Sequence, residues 1–305
     1  MKFISKKERF LKIYKKLLGK FPSKVPFLTR IIERKEYDDY IREKVIFQSE
    51  IKESIFAYFL IPKKSYYQEG LPVVICLHQH GGHFALGKSE IVGRIGNKNQ
   101  QYGLELVKRG YAVFAADSRC FEERQKFWDG DGIYSHRLLL EGKTLAGMFI
   151  WDIKRAIDWL ESRKEINPNR IGLIGHSMGA MQALILTPLE KRIKVVMASC
   201  GAKVLKIAFL RGDDIPWSYQ IPGFMKTGDL PLLYSMIAPK PFLLLGRSSD
   251  KVSTLEEQKV VKKEVMKIYK CLGKEECFSY YLEDGGHAFS FTMRERAYKW
   301  LKKWL

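Results

Sequence analysis

From residue 71 onward, apolar runs of strand length alternate with stretches of helical periodicity. The runs are "LPVVICLH" (71–78), "YAVFAAD" (111–117), "RIGLIG" (170–175), "KVVMASC" (194–200), "PFLLLG" (241–246) and "FSYYLE" (278–283). Helical patterns fall near 98–109 and 143–163, from Ser177 onward, over 254–270 and from about 288 to Leu305. Strands apolar throughout are buried on both faces, and strand–helix alternation implies right-handed crossovers in a parallel sheet. Upstream, "YIREKVIFQ" and "SIFAYFLIP" alternate only partly and are joined by the polar "SEIKE", which predicts an antiparallel hairpin. The pattern predicts an α/β class, with one domain over 38–305, a mostly parallel sheet of about eight strands and helices on both faces. Residues 1–37 read as a basic helical extension. Its Phe10, Leu11, Ile13, Tyr14, Leu17 and Leu18 fall on one side and lysines on the other, which suits packing on the body of the protein better than weak contact with a membrane surface. Two stretches break the alternation, near 120–142 and 201–236. Both are irregular, rich in Gly, Pro, Asp and Trp, and follow strand C-terminal ends, where open α/β sheets bind ligands.

Charge changes the picture little. Lys and Arg total 53 against 34 Asp and Glu, a net +19, enough to attract anions at low salt. No Arg-rich tract or aromatic-interleaved basic motif accompanies it, so no specific nucleic-acid partner is expected. The N-terminus has no uninterrupted apolar core of a signal peptide, and no run of about 18 apolar residues suggests a membrane span; a cytoplasmic location is the expectation. Five cysteines with no CxxC pair form no disulfide framework. Cys76 and Cys200 sit in apolar runs as core residues, and a Cys271 to Cys277 bridge is the one conceivable pairing.

The strongest chemical signal is "RIGLIGHSMGA". Gly175-His176-Ser177-Met178-Gly179 matches G-x-S-x-G and lies between a predicted strand and a predicted helix, where a strained turn would lift the serine hydroxyl clear of the backbone. A serine hydroxyl is a poor nucleophile unless a base takes its proton and a carboxylate orients that base. Only one histidine lies downstream, His287 in "EDGGHAF", and it is the expected base. For the acid, Asp250 in "PFLLLGRSSDKVS" follows a buried strand. Its competitors are Asp213 and Asp214 in the second irregular stretch and Glu283 and Asp284 beside the histidine; a neighbour so close in sequence cannot easily align the ring's far nitrogen. Acyl transfer also needs donors aimed at the developing oxyanion, worth about 3 kcal/mol each. The Met178 amide, next after the nucleophile, is one. The loop "HQHGGH" (78–83) supplies the other.

The segments "LHQHGG...GKSE", "RGYAVFAADSRCFEER", "WDIKRAIDWLESRKEINPNRIGLIGHSMGA", "IAPKPFLLLGRSSD" and "GGHAF" resemble the α/β-hydrolase superfamily, specifically its dienelactone-hydrolase-like and acetyl-xylan-esterase-like branch, over roughly 38–305. The resemblance implies an α/β-hydrolase fold with Ser177 as nucleophile, Asp250 as acid, His287 as base, and the amides of His80 and Met178 as the oxyanion hole. This chain departs from the branch at Gln79, where relatives commonly have His-Gly followed by an aromatic or small residue. His78, His80 and His83 invite a zinc reading, but a catalytic metal site would need further ligands that the sequence does not offer. His78 is expected to brace the loop and His80 to act through its backbone, with neither metal nor cofactor. Glu90, Arg119, Glu122, Glu123 and Arg124 are candidate loop braces, and Trp128, Trp217 and Phe224 candidate pocket walls. The sequence therefore predicts a serine hydrolase of small-molecule carboxylic esters, of carboxylesterase or acetylesterase type. The alternatives are a thioesterase or peptidase on the same triad, or a basic binding protein on a hydrolase scaffold.

Overall fold

Leu71–Leu77 is buried along its whole length. In the computed structural model, which describes residues 2–64, 69–125 and 130–305, Val73, Ile75 and Leu77 face one apolar layer while Val74 and Cys76 face the other. A period of two in a sheet covered on both sides requires this split. The strands are β1 (Arg30–Glu36), β2 (Tyr40–Glu50), β3 (Glu53–Pro62), β4 (Leu71–Leu77), β5 (Ala112–Ala116), β6 (Ile166–His176), β7 (Ile193–Ser199), β8 (Phe242–Arg247) and β9 (Phe278–Glu283). They form one sheet in the order β1-β2-β3-β5-β4-β6-β7-β8-β9. From β5 to β9 all pairings are parallel. The predicted hairpin of β2 and β3 joins that body through antiparallel pairing of β3 with β5.

The helices are α1 (Lys2–Leu17), α2 (Lys88–Ile91), α3 (Tyr102–Val107), α4 (Gly132–Leu140), α5 (Leu145–Glu161), α6 (Met178–Leu186), α7 (Leu205–Arg211), α8 (Leu230–Ser235), α9 (Leu255–Cys271) and α10 (Phe291–Trp304). Residues of α5, α6 and α9 fill one layer, and residues of α3 and α10 the other. Trp159 of α5 locks the hairpin to the body. Its ring stacks on Phe47 at 5.2 Å and meets Phe59 edge-on at 5.5 Å.

The region read as a helical extension holds more than a helix. Arg30–Glu36, "RIIERKE", is an unforeseen ninth strand pairing antiparallel with β2. It is an edge strand exposed on nearly every residue, so no alternation marks it; its charges also guard an open edge against further pairing. Nor does α1 stand apart. Tyr14 and Leu18 are fully buried, and Tyr14 meets the Phe224 ring edge-on at 5.7 Å. The Lys7 ammonium donates to the Ala238 carbonyl at 2.6 Å, and burial lowers its pKa.

The two irregular stretches contain α4, and α7 with α8. Helices this short need outside help, and one carboxylate supplies two of them: Asp229 accepts from the Leu230 amide at the start of α8 and from the Leu205 and Lys206 amides at the start of α7. A buried ionic cluster anchors the first stretch. Asp152 of α5 accepts from Arg119 at 2.9 and 2.8 Å and from Arg124 at 2.8 Å, while Arg124 also pairs with Glu53 at 2.9 Å. Burial pushes the Asp152 carboxyl up, but the two guanidiniums outweigh it and hold the group well below the usual carboxylate range. All five cysteines are free; Cys271 is exposed and Cys277 buried, so the conceivable bridge between them is not formed. No helix among the described residues is long and apolar enough to cross a membrane.

Candidate active site

β6 ends at His176 and α6 begins at Met178, so Ser177 alone makes the turn, with φ 54° and ψ −119°. A side chain is rarely found in that backbone region, and the surroundings must hold it there. The Ser177 amide donates to the Ser199 carbonyl at 2.9 Å, and its own carbonyl accepts from the Met181 amide at 2.9 Å. Glycine on either side is a steric requirement: a Cβ on Gly179 would lie 1.9 Å from the Leu77 carbonyl oxygen, and one on Gly175 2.3 Å from the Gly179 carbonyl carbon. Ser177 occupies the N-cap of α6, where a serine normally spends its hydroxyl on the helix amides. Here it makes no capping hydrogen bond. The hydroxyl is left to the cavity that Ser177 lines.

His287 borders the same cavity. Its Nδ1 lies 3.0 and 2.9 Å from the two carboxylate oxygens of Asp250, so Nε2 is the nitrogen left for other partners. Asp250 is buried behind the ring and also accepts from the Val252 and Ser253 amides at 2.8 and 3.0 Å. Burial raises its pKa, but the His287 hydrogen bond and those amides more than compensate, and the carboxyl stays below its ordinary value. Three of the four competing acids are occupied elsewhere, and Asp214 is exposed at the cavity's edge. Asp213 pairs with Arg211 and Lys203, Glu283 with Arg247, and Asp284 accepts from the Ser248 hydroxyl.

Two residues around this pair had no signal in the sequence. Arg247, at the end of β8, donates to the Gly286 carbonyl at 3.1 Å and pairs with Glu283 at 2.8 Å, tying the histidine loop to the aspartate loop. His176, the variable residue of the elbow, packs behind the His287 ring, tilted against it with centroids 4.9 Å apart, and stacks on Phe289 at 5.8 Å. Burial and the neighbouring His287 lower its pKa to about 3, so it is a neutral backing for the ring.

The loop after β4 shows what each of its imidazoles does. His78 is buried; its Nδ1 donates to the Gln79 carbonyl at 2.7 Å and its Nε2 accepts from the Ser118 amide at 3.0 Å. Burial lowers its pKa to about 4, which keeps it in this neutral, doubly engaged form. It braces the loop, as the sequence suggested. The His80 ring packs edge-on against Phe84 and Phe121 at 4.8 and 5.1 Å, and its Nδ1 accepts from the Gly82 amide. His83 is exposed. Gln79, the departure from the resembled branch, reaches down to the buried Glu90, its amide donating at 3.0 Å. Glu90 in turn accepts from the Asn97 amide at 2.9 Å. A side chain thus secures the position where a glycine was expected. His80 and Met178 both line the cavity, and among the described residues no carbonyl accepts from either amide.

Beneath the loop, the ammonium of fully buried Lys88 lies 2.7 Å from Asp117, 2.7 Å from Glu122 and 2.5 Å from Glu123. Burial, only partly offset by Lys88, pushes the Asp117 carboxyl up to about 7. This acidic cluster holds its own cation already. Glu122 and Glu123 therefore brace the loop as expected, alongside Glu90, Arg119 and Arg124.

The cavity has a volume of about 820 Å³. One wall is made by strand-end loops carrying Gln79, His80, Ser177, Met178 and His287, the other by Asp131 and by Asp213, Asp214 and residues 216–219 of the second irregular stretch, including Trp217. Trp128 lies outside the described residues. Phe224 does not reach this cavity; it lines a neighbouring one of about 510 Å³.

The sequence profile of the Abhydrolase family matches residues 2–260. The hydrolase-named YtaP of Bacillus subtilis (strain 168) is 32% identical over 295 residues, covering 95% of this chain and 97% of its own length. Among solved structures, a glucuronoyl esterase from Solibacter usitatus superposes with a TM-score of 0.72 at 15% identity, over 97% of this chain and 91% of its own. An acetyl xylan esterase from Paenibacillus sp. R4 does so with a TM-score of 0.66 at 17% identity, over 92% and 90%.

Proposed function

Because the chain belongs to the Abhydrolase family, we propose that it hydrolyses carboxylic esters through an acyl-enzyme on Ser177. The observation that carries this reading is the His287 ring, fixed by two contacts to a buried carboxylate at the edge of a cavity that an uncapped, strained serine also lines. With Nδ1 donating to Asp250, Nε2 is unprotonated and available to accept the Ser177 proton. The freed oxygen attacks the ester carbonyl carbon, and the negative charge that moves to the carbonyl oxygen is met by the His80 and Met178 amides. Collapse expels the alcohol, which takes the proton from His287. A water molecule then gives a proton to the same nitrogen and attacks the acyl carbon; the acyl–Oγ bond breaks, releasing the acid, and His287 returns the proton to the Ser177 oxygen. The names of the structural neighbours, an acetyl xylan esterase and a glucuronoyl esterase, support an ester rather than an amide substrate.

Hydrolysis of p-nitrophenyl acetate and labelling by a fluorophosphonate test the reading. Ser177→Ala is expected to lower kcat on the order of 10³-fold or more and to abolish labelling. Turnover that survives the substitution, or a salt-dependent affinity for DNA with no turnover by the native chain, would overturn it.

A further inference from the structure

The second cavity has no task in the reaction just described. Its volume of about 510 Å³ falls within the range of small-molecule sites, about 300–1,000 Å³. The walls are apolar: Leu139 from α4, Leu205 and Phe209 from α7, then Ile215, Ile221 and Met225. Phe209 is 56% exposed and Met225 39% exposed, although both face this hollow. Polar groups at its border are mostly spent within the protein. Gln220 donates to the Ile215 carbonyl, and Asp213 is paired with Arg211 and Lys203. A hollow of this make-up offers a ligand little except removal of apolar surface from water.

The hollow also adjoins the reaction site. Asp213, Asp214 and Tyr219 line both cavities. The Tyr219 hydroxyl donates to the Gly201 carbonyl at 3.4 Å, and Gly201 itself lines the catalytic cavity beside Cys200. Asp213, Asp214 and Tyr219 therefore form the border between the serine's cavity and the apolar one.

We propose that the apolar cavity is the second half of the substrate site and seats an aliphatic chain of the ester, so that esters of medium chain length are preferred over acetyl esters. This rests on the ester-hydrolase reading above, because the chain enters the hollow only when its carbonyl is at Ser177.

The test is kcat/KM across two series, p-nitrophenyl acylates from acetate to decanoate and alkyl acetates from methyl to octyl, for the native chain and for Phe209→Asp and Met225→Trp. In one of the two series kcat/KM is expected to rise at least tenfold toward the longer chains, and that series assigns the cavity to its side of the ester. Phe209→Asp puts a charge in the hollow and Met225→Trp fills it; each is expected to lower the long-chain value at least tenfold more than the acetate value. Flat or falling profiles in both series, or variants that scale every ester equally, overturn the proposal. So does a native dimer that Phe209→Asp converts to a monomer with its chain-length profile intact, which would give this surface to a second copy of the chain. If no ester of any length is hydrolysed, or if hydrolysis survives Ser177→Ala, the failure belongs to the reading of the reaction and not to the cavity.

Discussion

On one side of the catalytic cavity, His78, Gln79, Asp250 and His287 are each tied down by hydrogen bonds to strand ends or buried carboxylates. Around the neighbouring apolar cavity, the short helices of the two irregular stretches leave Phe209 56% exposed, and the residues next in sequence to its lining Phe209 and Leu139, Leu210 and Leu140, are 89% and 91% exposed. The first wall is defined by polar geometry, in which the loss of one partner strands another in a dry environment. The second is defined by apolar contact, which tolerates exchange of one side chain for another of similar size. A scaffold built this way can keep its chemistry constant while the opposite wall changes what is admitted.

Four substitutions would sharpen or break that contrast. The largest effect is expected from Asp250→Asn, which keeps the shape but loses control of the His287 tautomer; kcat should fall about 10⁴-fold with circular dichroism unchanged. A loss under tenfold would mean that the polar wall is less exacting than its geometry implies. Asp152→Asn should cost about 3–5 kcal/mol of stability in denaturant titrations, because Arg119 and Arg124 would be left buried with half their counter-charge gone. These ion pairs and those of Glu190 set an acid limit. Arg192 and Lys154 overcome burial and hold Glu190 at about 2, and Asp152 is depressed likewise. Carboxyls held below their unfolded values, about 4, contribute stability that is present above that pH and lost as pH falls toward their folded values. The melting temperature should therefore drop steeply from about pH 4 down to about pH 2, and more shallowly in Asp152→Asn.

Gln79→Ala comes next. It removes the anchor to Glu90, and kcat is expected to fall about tenfold, the equivalent of one charge-assisted hydrogen bond, with KM nearly unchanged. An equal change in both parameters would assign Gln79 to binding and not to the pose of the loop. The smallest effect belongs to the outer surface beside the apolar wall: Leu210→Ser, at a position already in water, should shift stability by no more than about 0.5 kcal/mol.

The difference between the walls also explains what could be read from the chain. β4 through β9 were legible because buried parallel strands appear as unbroken apolar runs. Ser177, Asp250 and His287, the proposed nucleophile, acid and base, could be picked out because each follows one of these strands in a chemically constrained order; the structure sets His287 against Asp250 and puts His287 and Ser177 on one cavity. β1 was not, since an exposed edge strand carries no periodicity. α4, α7 and α8 escaped for a related reason: at nine residues or fewer they owe their form to partners such as Asp229, which no local pattern encodes. Gln79 looked like a defect in its motif until Glu90, eleven residues away, was seen to receive it. The apolar cavity depends on tertiary contact: "DDIPWSYQIPGF" offered Phe224 as a pocket wall but could not say that the pocket is a second one beside the first.

Phe224 belongs to two structures at once. It borders the apolar cavity, and the edge of its ring rests against Tyr14 of α1, while Leu17 lies within van der Waals reach of a Cβ placed on Gly223. The first helix is thus a buttress behind this part of the wall. Trimming the chain ahead of residue 18, or splicing a bulky partner onto its start, would slacken Phe224 and change the dimensions of the hollow without touching any reacting atom.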